Sequence, residues 1–219
     1  GEASAQYALA LSLRRRCDTG GAQAWLEKAC AQDHPEALFA CAELAFGTRS
    51  ARAALDDVAK ADDVAKALQL YRRAAELGYG PAQSRLGGLL VSGVKGRVQQ
   101  DTWEGKRLLR LAFEQDEADA GFHLGSSLLQ EGDRDGVTKL LASAAKGHPT
   151  ACFQVGLMYR EGQYQLARDP AAALRYTKWA AHMGEPRAMS NLGQMIITGA
   201  GVVKDEAKAA RLFHISVLA

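Results

Sequence analysis

Asparagine occurs once, at Asn191, and proline five times in 219 residues, so the chain has little of the material from which β-turns and hairpins are made. That scarcity argues against a sheet-rich fold, while the abundant Ala, Leu, Arg, Glu and Gln favour helix. No apolar run approaches the roughly 18–20 residues needed to cross a bilayer. No charged-then-apolar leader is present either, and the chain opens at Gly1, so its natural start is expected to be missing. A net charge of +2 with mixed signs argues against nucleic acid as partner, since duplex binding needs a concentrated basic face. The hydrophobic fraction of 47% is that of a folded protein.

Only four cysteines occur, Cys17, Cys30, Cys41 and Cys152, and none forms a CxxC pair, so zinc-knuckle and thioredoxin-like chemistry is unsupported. Buried free thiols are the expectation for Cys30 and Cys41, because cysteine packs as a small hydrophobe. A soluble protein of a reducing compartment or organelle interior is favoured over a disulfide-rich secreted form. Catalytic signatures are equally scarce, with no HExxH, no P-loop and no GxSxG. No cofactor or metal is expected.

What is present is a repeat. A small residue, an apolar residue four positions on, and then usually Gly or Ala recur as Ala5/Leu9/Ala10, Ala37/Cys41/Ala42, Ala82/Leu86/Gly87, Ala120/Leu124/Gly125, Ala151/Val155/Gly156 and Ala188/Leu192/Gly193. A second phrase sits between these anchors: Asp18/Ala22/Ala29, Asp63/Ala67/Ala74, Asp101/Gly105/Ala112, Asp169/Ala173/Ala180 and Asp205/Ala209/Ser216. Each Asp reads as an N-cap accepting orphan amides of a first turn, and Pro170 suits the first helical position after Asp169. The unit at Ala120 is weaker, with Asp133 or Asp135 as its cap and Gly136 and Ser143 following. Small residues spaced four and then seven apart share one helical face and let two helices approach closely. Gly78, Gly147 and Gly184 close the second helices, with Pro149 and Pro186 soon after two of them. Twelve short helices follow, each marginal alone and held by its neighbours.

The stretch Leu192-Gly193-x-x-Ile196-x-x-Gly199-x-Gly201-Val202-x-x-Asp205-x-x-Lys208-Ala209 resembles the Sel-one-like repeat, a relative of the tetratricopeptide repeat. Lys66-Ala67, Tyr71, Ala74-Ala75-Glu76, Gly78 and Ala82 resemble that family's second helix, and the likeness covers essentially the whole chain. It implies an all-α fold, a right-handed α-α superhelix or solenoid of about six helix–turn–helix units forming one domain over residues 1–219. It implies a protein–protein scaffold or adaptor and not an enzyme, with another protein or a peptide as partner. A structural accessory subunit of a large assembly is the alternative. In tetratricopeptide arrays the first helix of each pair lines a concave surface. Carried over by register, that places Leu11, Arg14, Arg15, Glu43, Ser126, Leu129, Leu157, Arg160, Glu161 and Gln194 on the binding face. Their mix of apolar and oppositely charged groups suits a peptide or helix better than a polyanion.

Several features stand outside this scheme. Asp56-Asp-Val-Ala-Lys-Ala61 recurs at once as residues 62–67, an insertion expected to form a loop or a short extra helical turn. Ser143-Ala-Ala-Lys146 matches the SxxK motif of penicillin-recognising enzymes. Ser143 nevertheless holds the slot of Ala74, Ala112 and Ala180, and no S-D-N or K-T-G companion occurs. Tyr7, Phe39, Phe122 and Phe153 each lie two residues after an anchor, where packing between successive first helices is the simpler reading than a groove. Structural roles are expected for His34 and His148 at equivalent turns. Trp103, two residues after a cap, is expected to be exposed or to cover the loop around Gly96. The last helix ends Phe213-His-Ile-Ser-Val-Leu-Ala219 without a polar capping helix, so this edge is expected to continue or to be covered by a partner.

Overall fold

The computed structural model describes residues 1–47, 57–94, 97–199 and 202–218. Twelve α-helices form among the described residues, and they pack as six consecutive antiparallel pairs. One compact unit, Gly1–Glu117, holds α1 (Glu2–Arg15), α2 (Thr19–Ala31), α3 (Pro35–Gly47), α4 (Asp57–Glu76), α5 (Gly80–Ser92) and α6 (Thr102–Glu114). The second, Ala118–Ala219, holds α7 (Ala118–Gln130), α8 (Asp135–Ala145), α9 (Pro149–Glu161), α10 (Pro170–His182), α11 (Pro186–Thr198) and α12 (Glu206–Leu218).

The helix starts follow from the acids. Asp18 accepts from the Gly21 amide, Asp101 from Glu104, Asp169 from Ala171 and Ala172, and Asp205 from Lys208. In the weaker unit Asp133 takes the amide of Asp135, the first residue of α8. Asp63 is a correction to the expected cap, because it lies inside α4, which begins at Asp57. The duplicated segment is accordingly not a loop. It lengthens α4 to 20 residues against 13 in most of the others, and Val64 and Ala67 of its second copy are buried. Asp56 itself lies outside the described residues.

The turns after the second helices need one residue of positive φ, and they take it from two sources. Gly78, Gly147 and Gly184 sit at φ 82°, 84° and 86°, whereas Asp33 and Asp116 hold the same place after α2 and α6 at 55° and 68°. Glycine adopts this conformation without strain, and Asp is among the few side chains that tolerate it.

The repeat's small residues make the seams. Ala37, Ala82, Ala120, Ala151 and Ala188 are fully buried, as are Ala29, Ala67, Ala74, Ala112, Ala180 and Ala209. Ala5, the first anchor, is exposed. Glutamine supplies a link absent from the sequence reading. Gln32, at the end of α2, donates to Gln6 of α1 at 3.0 Å, and Gln115, at the end of α6, donates to Gln83 of α5 at 2.8 Å. These paired amides tie the open ends of the α1–α2 and α5–α6 hairpins.

Candidate protein-binding surface

The aromatic positions after each anchor are consumed by packing between units. Tyr7 packs on His34 with centroids 5.1 Å apart, Phe39 on Tyr79 at 5.6 Å, and Phe122 stacks on His148 at 4.5 Å. Phe153 lies under the Arg187 guanidinium at 5.2 Å. Each ring covers the turn that opens the next first helix, so these rings are not a free ladder. His148 is itself the cap of α9: its Nδ1 accepts the Ala151 amide at 3.1 Å. Burial pushes the His148 pKa below its ordinary value, with Asp119, 3.4 Å from Nε2, opposing that trend. His34 Nδ1 lies 3.1 Å from a Glu36 carboxylate oxygen but makes no well-aligned hydrogen bond.

Ser143 has no accessible surface, and its hydroxyl donates to the Ala118 carbonyl at 2.7 Å. A nucleophile needs a free lone pair and a neighbouring base, and this oxygen is sealed in a helix seam.

The ten residues assigned to the binding face separate into different environments. Leu11 is half-buried on α1, while Arg14 and Arg15 are exposed in its last turn. Glu43 is engaged within its own unit, accepting the buried Tyr71 hydroxyl at 2.5 Å and pairing with Arg85 at 3.2 Å. Burial, followed by the Glu43 carboxylate, raises the Tyr71 pKa well above the phenol range. Glu43 therefore bridges α3, α4 and α5, and its availability to a partner is correspondingly reduced. Arg160 donates to Asn191 of α11 at 2.7 Å and to Glu161 at 2.8 Å, and Gln163 donates to Glu161 at 2.6 Å. Gln194 is exposed.

Three of the ten converge. Ser126, Leu129 and Leu157 line a groove of about 280 Å³ between the first helices α7 and α9, joined by Gln130, Gln154, Met158, Gln163 and Tyr164. Leu129, Leu157 and Met158 form its apolar part, and three amides, a serine and a tyrosine supply polar edges without any formal charge. Ser126 Oγ donates to Gln154 Oε1 at 3.3 Å, leaving the Gln154 amide N–H₂ groups available. Gln163 and Tyr164 follow Gly162, the left-handed cap of α9, in a loop where Tyr164 and Gln165 also hold positive φ. The register rule considered only helix positions, so it missed these loop residues. The one signal for them was Gly162 itself, which ends α9 and turns the chain back.

A second concavity, of about 990 Å³, lies where α10, α11 and α12 meet. Met189, Leu192, Ile196, Leu212 and Ile215 line it together with Lys178, Lys204, Lys208 and Asp205. Val203 beside it is 89% exposed. Trp103 is 74% exposed on α6, as its place near a helix start predicts, and Gly96 lies outside the described residues.

Among the described residues no group of three or more His, Cys, Asp or Glu could hold a metal ion, and no helix is long and apolar enough to cross a membrane. Chitin synthase regulatory factor 3 of Schizosaccharomyces pombe is 28% identical over 181 residues, which span 80% of this chain and 19% of that protein. The chain thus covers about a fifth of that relative's length. A protective antigen of uropathogenic Escherichia coli strains, displaying an SLR fold, superposes with a TM-score of 0.77 at 24% identity over 98% of this chain and 45% of that one. A Sel1 repeat protein from Oxalobacter formigenes gives 0.73 at 22% identity over 97% and 82%. These two structures share the all-α repeat fold. The Sel1 repeat model matches residues 3–34, 37–79, 80–117, 149–185 and 186–217, passing over only the α7–α8 hairpin, whose loop is short and whose cap is displaced to Asp133. With five matched repeats along most of its length, the chain belongs to the Sel1 repeat family.

Proposed function

We propose that the chain is a protein-interaction scaffold and that the groove between α7 and α9 receives an extended, uncharged peptide segment. The observation that carries this reading is the lining itself. Leu129, Leu157 and Met158 offer a shallow apolar floor, while Ser126, Gln130, Gln154 and Gln163 offer paired donors and acceptors of the kind a peptide backbone needs. A charged segment would leave its ions without partners there, which costs more than the groove returns. Sel1 repeats serve protein interaction generally, and the regulatory role in the name of the yeast relative agrees with a non-catalytic part.

Peptide display against the whole chain tests this. Neutral peptides carrying one or two apolar anchors are expected to be enriched, and Leu157→Arg should weaken their binding by tenfold or more by calorimetry, about 1.4 kcal/mol. Undiminished binding to that variant, or enrichment of acidic or basic peptides instead, rejects the assignment.

The larger concavity of α10–α12 supports a second reading, an accessory subunit of a larger assembly. Its apolar lining, edged by three lysines against the single carboxylate of Asp205, suits a durable contact with an apolar partner surface that carries some acidic groups.

A further inference from the structure

Cys30 lies near the end of α2 and Cys41 in the middle of α3, the second helix of one repeat and the first helix of the next. Both are free thiols, yet their sulfurs lie 2.7 Å apart, with Cys30 Sγ donating to Cys41 Sγ. The other two thiols have no comparable partner, since Cys17 is exposed and Cys152 is buried with its Sγ donating to the Ala144 carbonyl at 3.3 Å.

The pair is also reachable. Both cysteines line a groove of about 290 Å³ whose polar rim is Gln23, Glu27, Asp63 and Lys66. Cys41 is only partly buried, whereas Cys30 is 9% exposed. The hydrogen bond from Cys30 holds the Cys41 thiol below its ordinary pKa despite burial, and Lys66 helps. The same bond, followed by burial, pushes Cys30 up. The accessible sulfur is therefore the one with more thiolate character, which is the form that reacts.

We propose that Cys30 and Cys41 form a thiol–disulfide exchange site for small-molecule disulfides, such as glutathione disulfide, which converts the pair into a reversible staple between α2 and α3. The Cys41 thiolate attacks one sulfur of the small disulfide, giving a mixed disulfide and releasing one small thiolate, which takes up a proton. Cys30 then loses its proton to solvent and attacks Cys41 Sγ, displacing the second small thiolate. Two protein thiols are oxidised to one disulfide, and one small disulfide is reduced to two thiols. The new bond joins neighbouring repeats at a seam otherwise held by non-covalent packing.

The full chain is equilibrated in glutathione buffers of graded ratio, quenched with acid, alkylated and mapped by mass spectrometry. A Cys30–Cys41 linked peptide, lighter by two hydrogens and reversed by dithiothreitol, is the expected product, together with a rise of about 5 °C in the thermal midpoint. Cys30→Ser should stop the reaction at a glutathione adduct on Cys41, while Cys41→Ser should leave Cys30 largely unmodified. The proposal is overturned if wild-type Cys30 and Cys41 are both fully alkylated in the most oxidising buffer, or if every linked peptide contains Cys17. The wild-type map decides the matter even where a serine variant folds poorly.

Discussion

In the hairpins α1–α2 and α3–α4 two slots of the repeat hold buried alanines, Ala10 and Ala22 in one and Ala42 and Ala67 in the other, while α5–α6 and α7–α8 close on glycine pairs, Gly87 with Gly105 and Gly125 with Gly136. All four pairs hold the same two slots of the repeat. In the glycine hairpins a Cβ at either partner would meet the other's backbone carbonyl oxygen, at 2.9 Å for Gly87 and Gly105, 2.8 Å for Gly125 and 2.5 Å for Gly136. The remaining hairpins are intermediate: Gly156 would meet Thr177 Oγ1 at 3.1 Å, and Gly193 the Phe213 ring at 3.0 Å. One repeat position thus serves two packing solutions. Alanine is tolerated wherever the facing helix leaves room for a methyl group, and it is excluded where the backbones themselves touch.

The largest effect should come from Gly136→Ala, whose methyl would press on a carbonyl that cannot rotate away. The helices must part, and even after about 1 kcal/mol of gained helix propensity the net loss is expected to be about 2 kcal/mol in urea unfolding. A Gly136→Ala protein as stable as wild type would show that the α7–α8 seam does not depend on close approach. Tyr71→Phe comes next. It removes the donor to Glu43 inside the α3–α4–α5 junction and should cost about 1–2 kcal/mol by the same measurement, with Arg85 still pairing. Asp116→Gly should act in the opposite direction, adding about 0.5–1 kcal/mol because φ of 68° no longer strains a side chain. No gain would mean that the Asp116 side chain contributes more than the strain it carries. Gly156→Ala should change stability by less than about 0.5 kcal/mol, because propensity gain and mild crowding offset one another.

The smallest effect is a pH dependence that separates His148 from the acidic caps. Its folded-state pKa lies below the ordinary 6.5, so the unfolded chain binds the proton more readily. Its contribution is complete above 6.5 and is lost as pH falls below that value, levelling once the folded-state value is passed. In His148→Asn, which retains an acceptor for the Ala151 amide, this part of the slope should vanish. An identical slope in both proteins would assign it to other groups.

Much of this was legible residue by residue. Asp18, Asp101, Asp169 and Asp205 announced their helices because capping is local, settled within three residues of the cap. Gly78, Gly147 and Gly184 announced the turns for the same reason, and the buried alanines followed from spacing. Asp63 misled because two identical copies each offer a plausible cap, and the helix starts at the earlier one. Cys30 and Cys41 were recognisable as core positions, but nothing in their spacing placed one sulfur against the other.

The order of helices, their starts and stops, and the small-residue face of each were set by the sequence, because they depend on neighbours within about two turns. Which polar groups remain free was decided only by tertiary structure. Glu43, six residues after its anchor on α3, was a candidate in the linear chain, whereas Gln154, three residues after its anchor on α9, was not. Glu43 is taken up by Tyr71, 28 residues away, and by Arg85 on another helix. Among the described residues the Gln154 side chain accepts one hydrogen bond, from Ser126, and its amide nitrogen lines a groove. Distances of about 3 Å between residues far apart in sequence make that difference, and local periodicity carries no record of them.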